Sequence, residues 1–163
     1  MNQTVKFNEE LFNETLFKVL ELNPKAVLSG SYGLRLQEGG WYPERDIHDL
    51  DFELPYDLIF NTDKELLYDG AGNRYISETH NIFLGSYKNV SINMFQAILP
   101  KDEIKEKELV IINKKILEVI SAKQIIFRKL LIAMEVSGSG SFKHASDLIE
   151  ILTRKVINQN NSL

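Results

Sequence analysis

The chain of 163 residues has no cysteine. That excludes a disulfide framework, a thiol nucleophile, an iron–sulfur cluster and cysteine-ligated zinc. Glycine and proline are scarce, at 9 and 4 residues, while 44% of the chain is apolar, which excludes disorder as the main state. No apolar run approaches the roughly 20 residues that a bilayer-spanning helix needs. The opening MNQTVKFNEE lacks the basic-then-apolar layout of an export signal. These absences lead to the expectation of a soluble, cytoplasmic protein with one domain over residues 1–163, no membrane partner, and a polar tail over 158–163.

Charge is unevenly spread. Residues 1–100 carry 8 Lys and Arg against 15 Asp and Glu, whereas residues 101–163 carry 11 against 8. An acidic half suited to a cation would then sit beside a mildly basic half able to face phosphates. Ordinary fluctuation of surface charge gives the same split.

Leu11, Phe12, Leu16, Val19 and Leu20 recur at helical spacing, which predicts an amphipathic helix from Asn8 to Asn23 that Pro24 ends. Ala26-Val27-Leu28 reads as a strand that breaks at Ser29-Gly30-Ser31, and Leu36 to Arg45 reads as loop. His48 to Leu54 alternates strictly, so a strand there puts Asp49, Asp51 and Glu53 on one face and Leu50, Phe52 and Leu54 on the other. Tyr56 to Leu67 is a short helix or an irregular excursion, and Asp69-Gly70-Ala71-Gly72-Asn73 a turn. Two hairpins are expected, Ile82–Tyr87 with Val90–Ile98 about Lys88-Asn89, and Glu108–Ile112 with Ile116–Ile120 about Asn113-Lys114. Ser121 with Gln124 makes a capping box at the start of a helix, and a last helix runs from about Phe142 to Val156. The order of elements indicates an α+β fold with an N-terminal helix and two C-terminal helices.

Two carboxylates two residues apart on one strand face lie roughly 6–7 Å apart at Cβ, close enough to share one hard cation. The plain alternative is the wet side of a half-buried strand. Ser29-Gly30-Ser31-Tyr32-Gly33, directly after an apolar strand, would let backbone amides and the Ser31 hydroxyl approach a phosphate. It would equally serve as a plain strand-to-helix turn. Arg45 reads as a phosphate-neutralising residue or as an ion-pair partner of Asp46, and Lys129 as a phosphate ligand or a snorkelling helix lysine. Trp41 and Tyr42 would stack on a base or cover the core. His48 would point to the face opposite the aspartates, for packing or capping rather than ligation, and His80 and His144 lack partners at metal-binding spacing.

VLSGSYGLRL followed by RDIHDLDFEL resembles the nucleotidyltransferase superfamily that includes DNA polymerase β, and most of all its small prokaryotic members, the minimal nucleotidyltransferases and AbiE-type toxins. Gly30-Ser31 match the family's turn, Arg45 its arginine, and Asp49 and Asp51 its metal pair. Lys129 with Ala133, and Asp147-Leu148, match two helices of the toxin-like branch. The resemblance covers about residues 26 to 152. It implies a mixed sheet of nucleotidyltransferase type, Mg²⁺ (or Mn²⁺) on Asp49 and Asp51, an NTP substrate held at Gly30, Ser31, Arg45 and Lys129, and transfer of NMP to RNA (tRNA-like) or to a protein acceptor. It also implies a toxin–antitoxin or phage-defence setting, with a partner protein or a homodimer.

Two departures stand out. The 17 residues between Ser31 and Asp49 exceed the family's usual spacer, with EGGWYPE the extra piece. The third carboxylate is expected on the strand Val90–Phe95, where Asn93 stands instead. An amide ligates weakly and cannot accept a proton as a base. Asn93 therefore keeps a second function in view, a degenerate member that acts as a binding or regulatory partner. A structural α+β domain with no nucleotide site is the third.

Overall fold

The computed structural model describes residues 7–71, 79–134 and 139–162. In chain order it contains α1 (Glu9–Leu22), β1 (Val27–Ser29), α2 (Gly30–Leu36), β2 (Asp49–Leu54), β3 (Leu66–Ala71), β4 (His80–Tyr87), β5 (Val90–Ala97), β6 (Lys107–Ile112), β7 (Lys115–Ile120), α3 (Ala122–Met134) and α4 (Ser139–Asn161). The seven strands form one mixed sheet in the order β3-β4-β5-β2-β1-β7-β6. β2 runs parallel to β5 and β1 parallel to β7, while β1 and β2 are antiparallel. The expected α+β class is what folds. No helix among the described residues is long and apolar enough to cross a membrane.

Period-two alternation divides the sheet into two faces. Leu28, Leu50, Phe52, Ile92 and Met94 point to one side, where Phe12, Leu16 and Val19 of α1 cover them completely. Burying each such side chain contributes about 1.5–3 kcal/mol. Val27 and Ile120 face the other way and pack with Leu34 of α2, Ile125 of α3 and Ile151 of α4. Asp49, Asp51 and Glu53 share this second face, because β2 pairs Ser29 with Asp51 and Val27 with Glu53.

The element ends follow local chemistry. Asn8 caps α1 by accepting from the Leu11 amide at 3.1 Å. At its other end the buried Asn23 side chain donates to the Val19 and Asn61 carbonyls at 3.3 and 3.0 Å, tying the helix to the loop before β3. Ser121 caps α3 as its spacing to Gln124 predicts, accepting from the Gln124 amide at 3.3 Å. Both hairpins turn through two left-handed residues, Lys88 and Asn89 at φ 47° and 66°, and Asn113 and Lys114 at φ 48° and 65°. That conformation matches the right-handed twist of the flanking strands.

Three expectations are corrected. Asp69-Gly70-Ala71 is not a turn but the end of β3, which pairs with β4 across a bulge between Tyr68 and Gly70; Gly72 and Asn73 lie outside the described residues. Of the two alternatives for Tyr56 to Leu67, the irregular excursion is what forms as far as Glu65, and Leu66 and Leu67 open β3. The seven residues Gly30–Leu36 form α2, taking in Gly30 and Ser31 of the expected turn and Leu36 of the expected loop; Gln37, which caps it, donates to the Ile120 carbonyl and accepts from the Ala122 amide. The polar tail is helical as far as Asn161, since no Pro or Gly follows Gly140 to stop α4.

Candidate functional site

The parallel register of β2 and β5 sets Asp49 opposite Ser91 and Asp51 opposite Asn93. From there the Asn93 amide donates to Asp49 Oδ2 at 3.1 Å and to Asp51 Oδ1 at 2.9 Å, so it occupies the position predicted from sequence. Gly30 closes over the pair. Its φ of +64° is left-handed, and a Cβ on it would lie 2.0 Å from Asp51 Oδ2. No other residue type leaves room for that carboxylate. Burial first, and then the charge of Asp49, push the Asp51 carboxyl up to about 6 against the Asn93 hydrogen bond and the lysines Lys129 and Lys143.

These groups line a cavity of about 380 Å³. Ile82, Leu84 and Phe95 form its apolar floor on the sheet, and Arg128, Lys129, Lys143 and His144 reach it from α3 and α4. Beside it lies a buried ionic cluster. Lys129, 4% exposed, donates to Ser31 Oγ at 3.1 Å and to Asp147 Oδ2 at 2.9 Å. Arg45 grips Asp147 with both Nε and Nη2, at 2.7 and 2.8 Å, and its Nη2 also reaches Ser31 Oγ at 3.2 Å. Burial raises Asp147, but Arg45 and Lys129 outweigh it and hold the carboxyl at about 2.

This cluster corrects two sequence readings. Arg45 takes the Asp147 carboxylate as its ion-pair partner, and Asp46 offers it only a backbone carbonyl, at 3.1 Å. Lys129 does not snorkel to solvent but points inward to Ser31 and Asp147. Gly30, Ser31, Arg45, Asp49, Asp51, Asn93 and Lys129 thus do gather in one region, together with Asp147.

Glu53 shares the face of the aspartate pair but is committed elsewhere. It forms a buried ion pair with Arg128, with His80 Nε2 3.9 Å from its other oxygen. His48 is exposed ahead of β2. Trp41 and Tyr42 pack on the second core cluster under the side chains of Lys155 and Arg154, 4.2 and 5.5 Å from the ring centres, so they cover the core. His144 lines the cavity, and burial, followed by the charges of Lys129 and Lys143, pushes its imidazole down to about 4. Sequence reasoning passed over Arg128 and Lys143, and weighed His144 only as a metal ligand. The available signal was their spacing: Arg128 adjoins Lys129, and Lys143 and His144 lie four and three residues before Asp147, on the same side of a helix.

Among the described residues, no group of three or more His, Cys, Asp or Glu could hold a metal ion. The donor set is two carboxylates with an amide beside them. Two close, half-buried carboxylates, one of them pushed towards protonation, form a site whose repulsion a hard divalent cation relieves. Mg²⁺ commonly takes just one or two carboxylates and completes its shell with water and phosphate oxygens. The residues present fit such an ion.

No family model matches the chain, and no curated protein is significantly similar to it. Among solved structures it is similar to a Helicobacter pylori protein provisionally named a nucleotidyltransferase, at 17% identity and a TM-score of 0.42, over 82% of this chain and 62% of the other. JHP933 from Helicobacter pylori is similar at 17% identity and a TM-score of 0.41, over 82% of this chain and 60% of the other. The chain therefore spans about three-fifths of the length of the solved chains it matches.

Proposed function

We propose that this chain is a nucleotidyltransferase-type protein that binds an NTP together with Mg²⁺ or Mn²⁺ and moves its NMP to a hydroxyl of RNA or protein. The observation that carries the reading is the convergence of Asp49, Asp51 and the obligatory Gly30 on one cavity walled by lysines. Asp49 and Asp51 would hold the cation, with the Asn93 amide beside them, and the ion would supply positive charge to the phosphates. In the overall reaction the acceptor oxygen bonds to the α-phosphorus, the bond from that phosphorus to the pyrophosphate oxygen breaks, pyrophosphate leaves, and the hydroxyl proton passes to solvent water. The protein's own part is to place the triphosphate and to keep the two carboxylates together, which Asn93 does by hydrogen bonding to both. An AbiE-like toxin–antitoxin or phage-defence setting, with a partner protein or a homodimer, belongs to the same proposal.

Calorimetric titration with ATP, GTP, CTP and UTP, with and without Mg²⁺, tests the reading. Binding by the wild type is expected to need the metal and to fall by about a hundredfold or more in Asp49→Asn/Asp51→Asn, as loss of several kcal/mol of charge stabilisation requires. Below about pH 6 a cation would have to compete with the proton on Asp51, so affinity is expected to weaken as pH falls through about 6. Metal-independent binding that survives the double substitution would sink the proposal.

Asn93 favours a second reading, a binding or regulatory protein that has lost catalysis, because the amide cannot accept the hydroxyl proton. Asn93→Asp is then expected to gain Mg²⁺-dependent pyrophosphate release that the wild type lacks. Turnover by the wild type removes this reading.

A further inference from the structure

We infer that Lys143 is the side chain that contacts the polyphosphate of a bound nucleotide in this cavity, while Lys129 and Arg45 lock the cavity wall and make no such contact. This rests on the nucleotide reading above and assigns its phosphate ligand.

Four cationic side chains surround the region, and three of them are committed. Arg128 is buried against Glu53. Lys129 spends its ammonium on Ser31 and Asp147 with almost no exposure. Arg45 distributes its guanidinium over both oxygens of Asp147, the Ser31 hydroxyl and the Asp46 carbonyl. Turning either Lys129 or Arg45 towards a ligand would strip the buried Asp147 carboxylate of a partner, which is strongly unfavourable.

Lys143 differs in each respect. It is exposed, it lines the same cavity as Asp49 and Asp51, and no hydrogen bond or ion pair holds its ammonium among the described residues. Its position four residues before Asp147 puts it on the side of α4 that faces the cluster, and its charge is felt at the Asp51 carboxyl. His144 beside it is neutral near pH 7, so it adds no competing cation. An unpaired ammonium on a flexible stem, near a pair of carboxylates suited to a divalent ion, is placed to bind a phosphate as a point charge.

The test compares MgATP, MgADP and AMP binding by wild type, Lys143→Ala and Lys143→Arg, with melting temperature measured alongside. If another base binds best, its three phosphate states are used. Lys143→Ala is expected to weaken triphosphate binding by about 10- to 100-fold, the loss of one charge-assisted contact, and monophosphate binding by much less. Lys143→Arg is expected to retain most of the affinity, and neither change is expected to move the melting temperature. Triphosphate binding by Lys143→Ala within about twofold of the wild type overturns the inference while leaving the nucleotide reading intact. An equal loss for all three ligands also overturns it, since the effect would not come from phosphate charge. Absence of any nucleotide binding by the wild type removes the reading and the inference together.

Discussion

Gly30→Ala is expected to abolish metal-dependent nucleotide binding and to lower the melting temperature. Two costs combine at this position. An alanine at φ +64° costs about 1–2 kcal/mol in backbone strain, and its Cβ would meet Asp51 Oδ2 at 2.0 Å and Asp51 Cγ at 2.7 Å. The clash is relieved only if the carboxylate leaves Asn93 and Asp49 or if α2 moves away from β2. Either movement dismantles the pair, so affinity should fall by about a hundredfold or more. With overpacking at about 1–3 kcal/mol, the melting temperature should drop by roughly 5–10 °C. Gly40 separates the two costs, because it has nearly the same φ, +63°, with nothing within 4 Å of its would-be Cβ. Gly40→Ala should therefore show the modest strain penalty and normal nucleotide binding. Equal behaviour of the two variants would mean that the close approach to Asp51 has no consequence.

Asp147→Ala is expected to be the most destabilising single change in the ionic cluster. Its side chain, 3% exposed, holds both Lys129 and Arg45, and its removal leaves the Lys129 charge buried without a counter-ion. Breaking a buried pair from one side costs about 3–5 kcal/mol, which for a chain of this size is about 6–20 °C in melting temperature. Replacing both partners, as Lys129→Met/Asp147→Leu, should cost less, because no charge is then left buried alone. The pH dependence has a defined sign. Asp147 sits at about 2, below its ordinary 3.8, so its stabilisation is complete above about pH 4 and is lost as pH falls towards 2. In urea unfolding, the stability gap between wild type and Asp147→Ala should be widest near neutrality and should narrow between pH 4 and pH 2. A gap that stays constant over that range would show that the carboxylate charge is not what stabilises the cluster.

Both variants act on contacts that were unevenly legible in the sequence. The aspartate pair, the glycine–serine turn and Asn93 could be placed because each depends on local pattern: strand alternation fixes the face of Asp49 and Asp51, and a strand-like run with polar positions at Ser91 and Asn93 fixes theirs. Both hairpins, α1 and the Ser121 cap could be placed for the same reason. β3 was obscured by Gly70, whose left-handed φ of 138° suits a bulge as well as a turn. α2 was obscured by its brevity and its two glycines. The length of α4 was obscured by its polar end, which has no breaking residue and so remains helical.

The partner of Arg45 shows where local reading stops. Asp46 is adjacent in sequence, yet Asp147, 102 residues away, takes the guanidinium in a bidentate grip. Adjacent side chains on a loop do not generally face each other, whereas packing α4 against the second face of the sheet delivers a carboxylate into the space between Arg45 and Lys129. The same packing turns Lys129 inward, diverts Glu53 to Arg128 and leaves Lys143 at the cavity with no partner for its ammonium among the described residues. By itself, the sequence determined the α+β class, the faces of the strands and the position of the two carboxylates, because alternation, caps and turns act over a few residues. Only the tertiary structure decided which charges neutralise one another, since that depends on helices and strands far apart in the chain closing over one buried space.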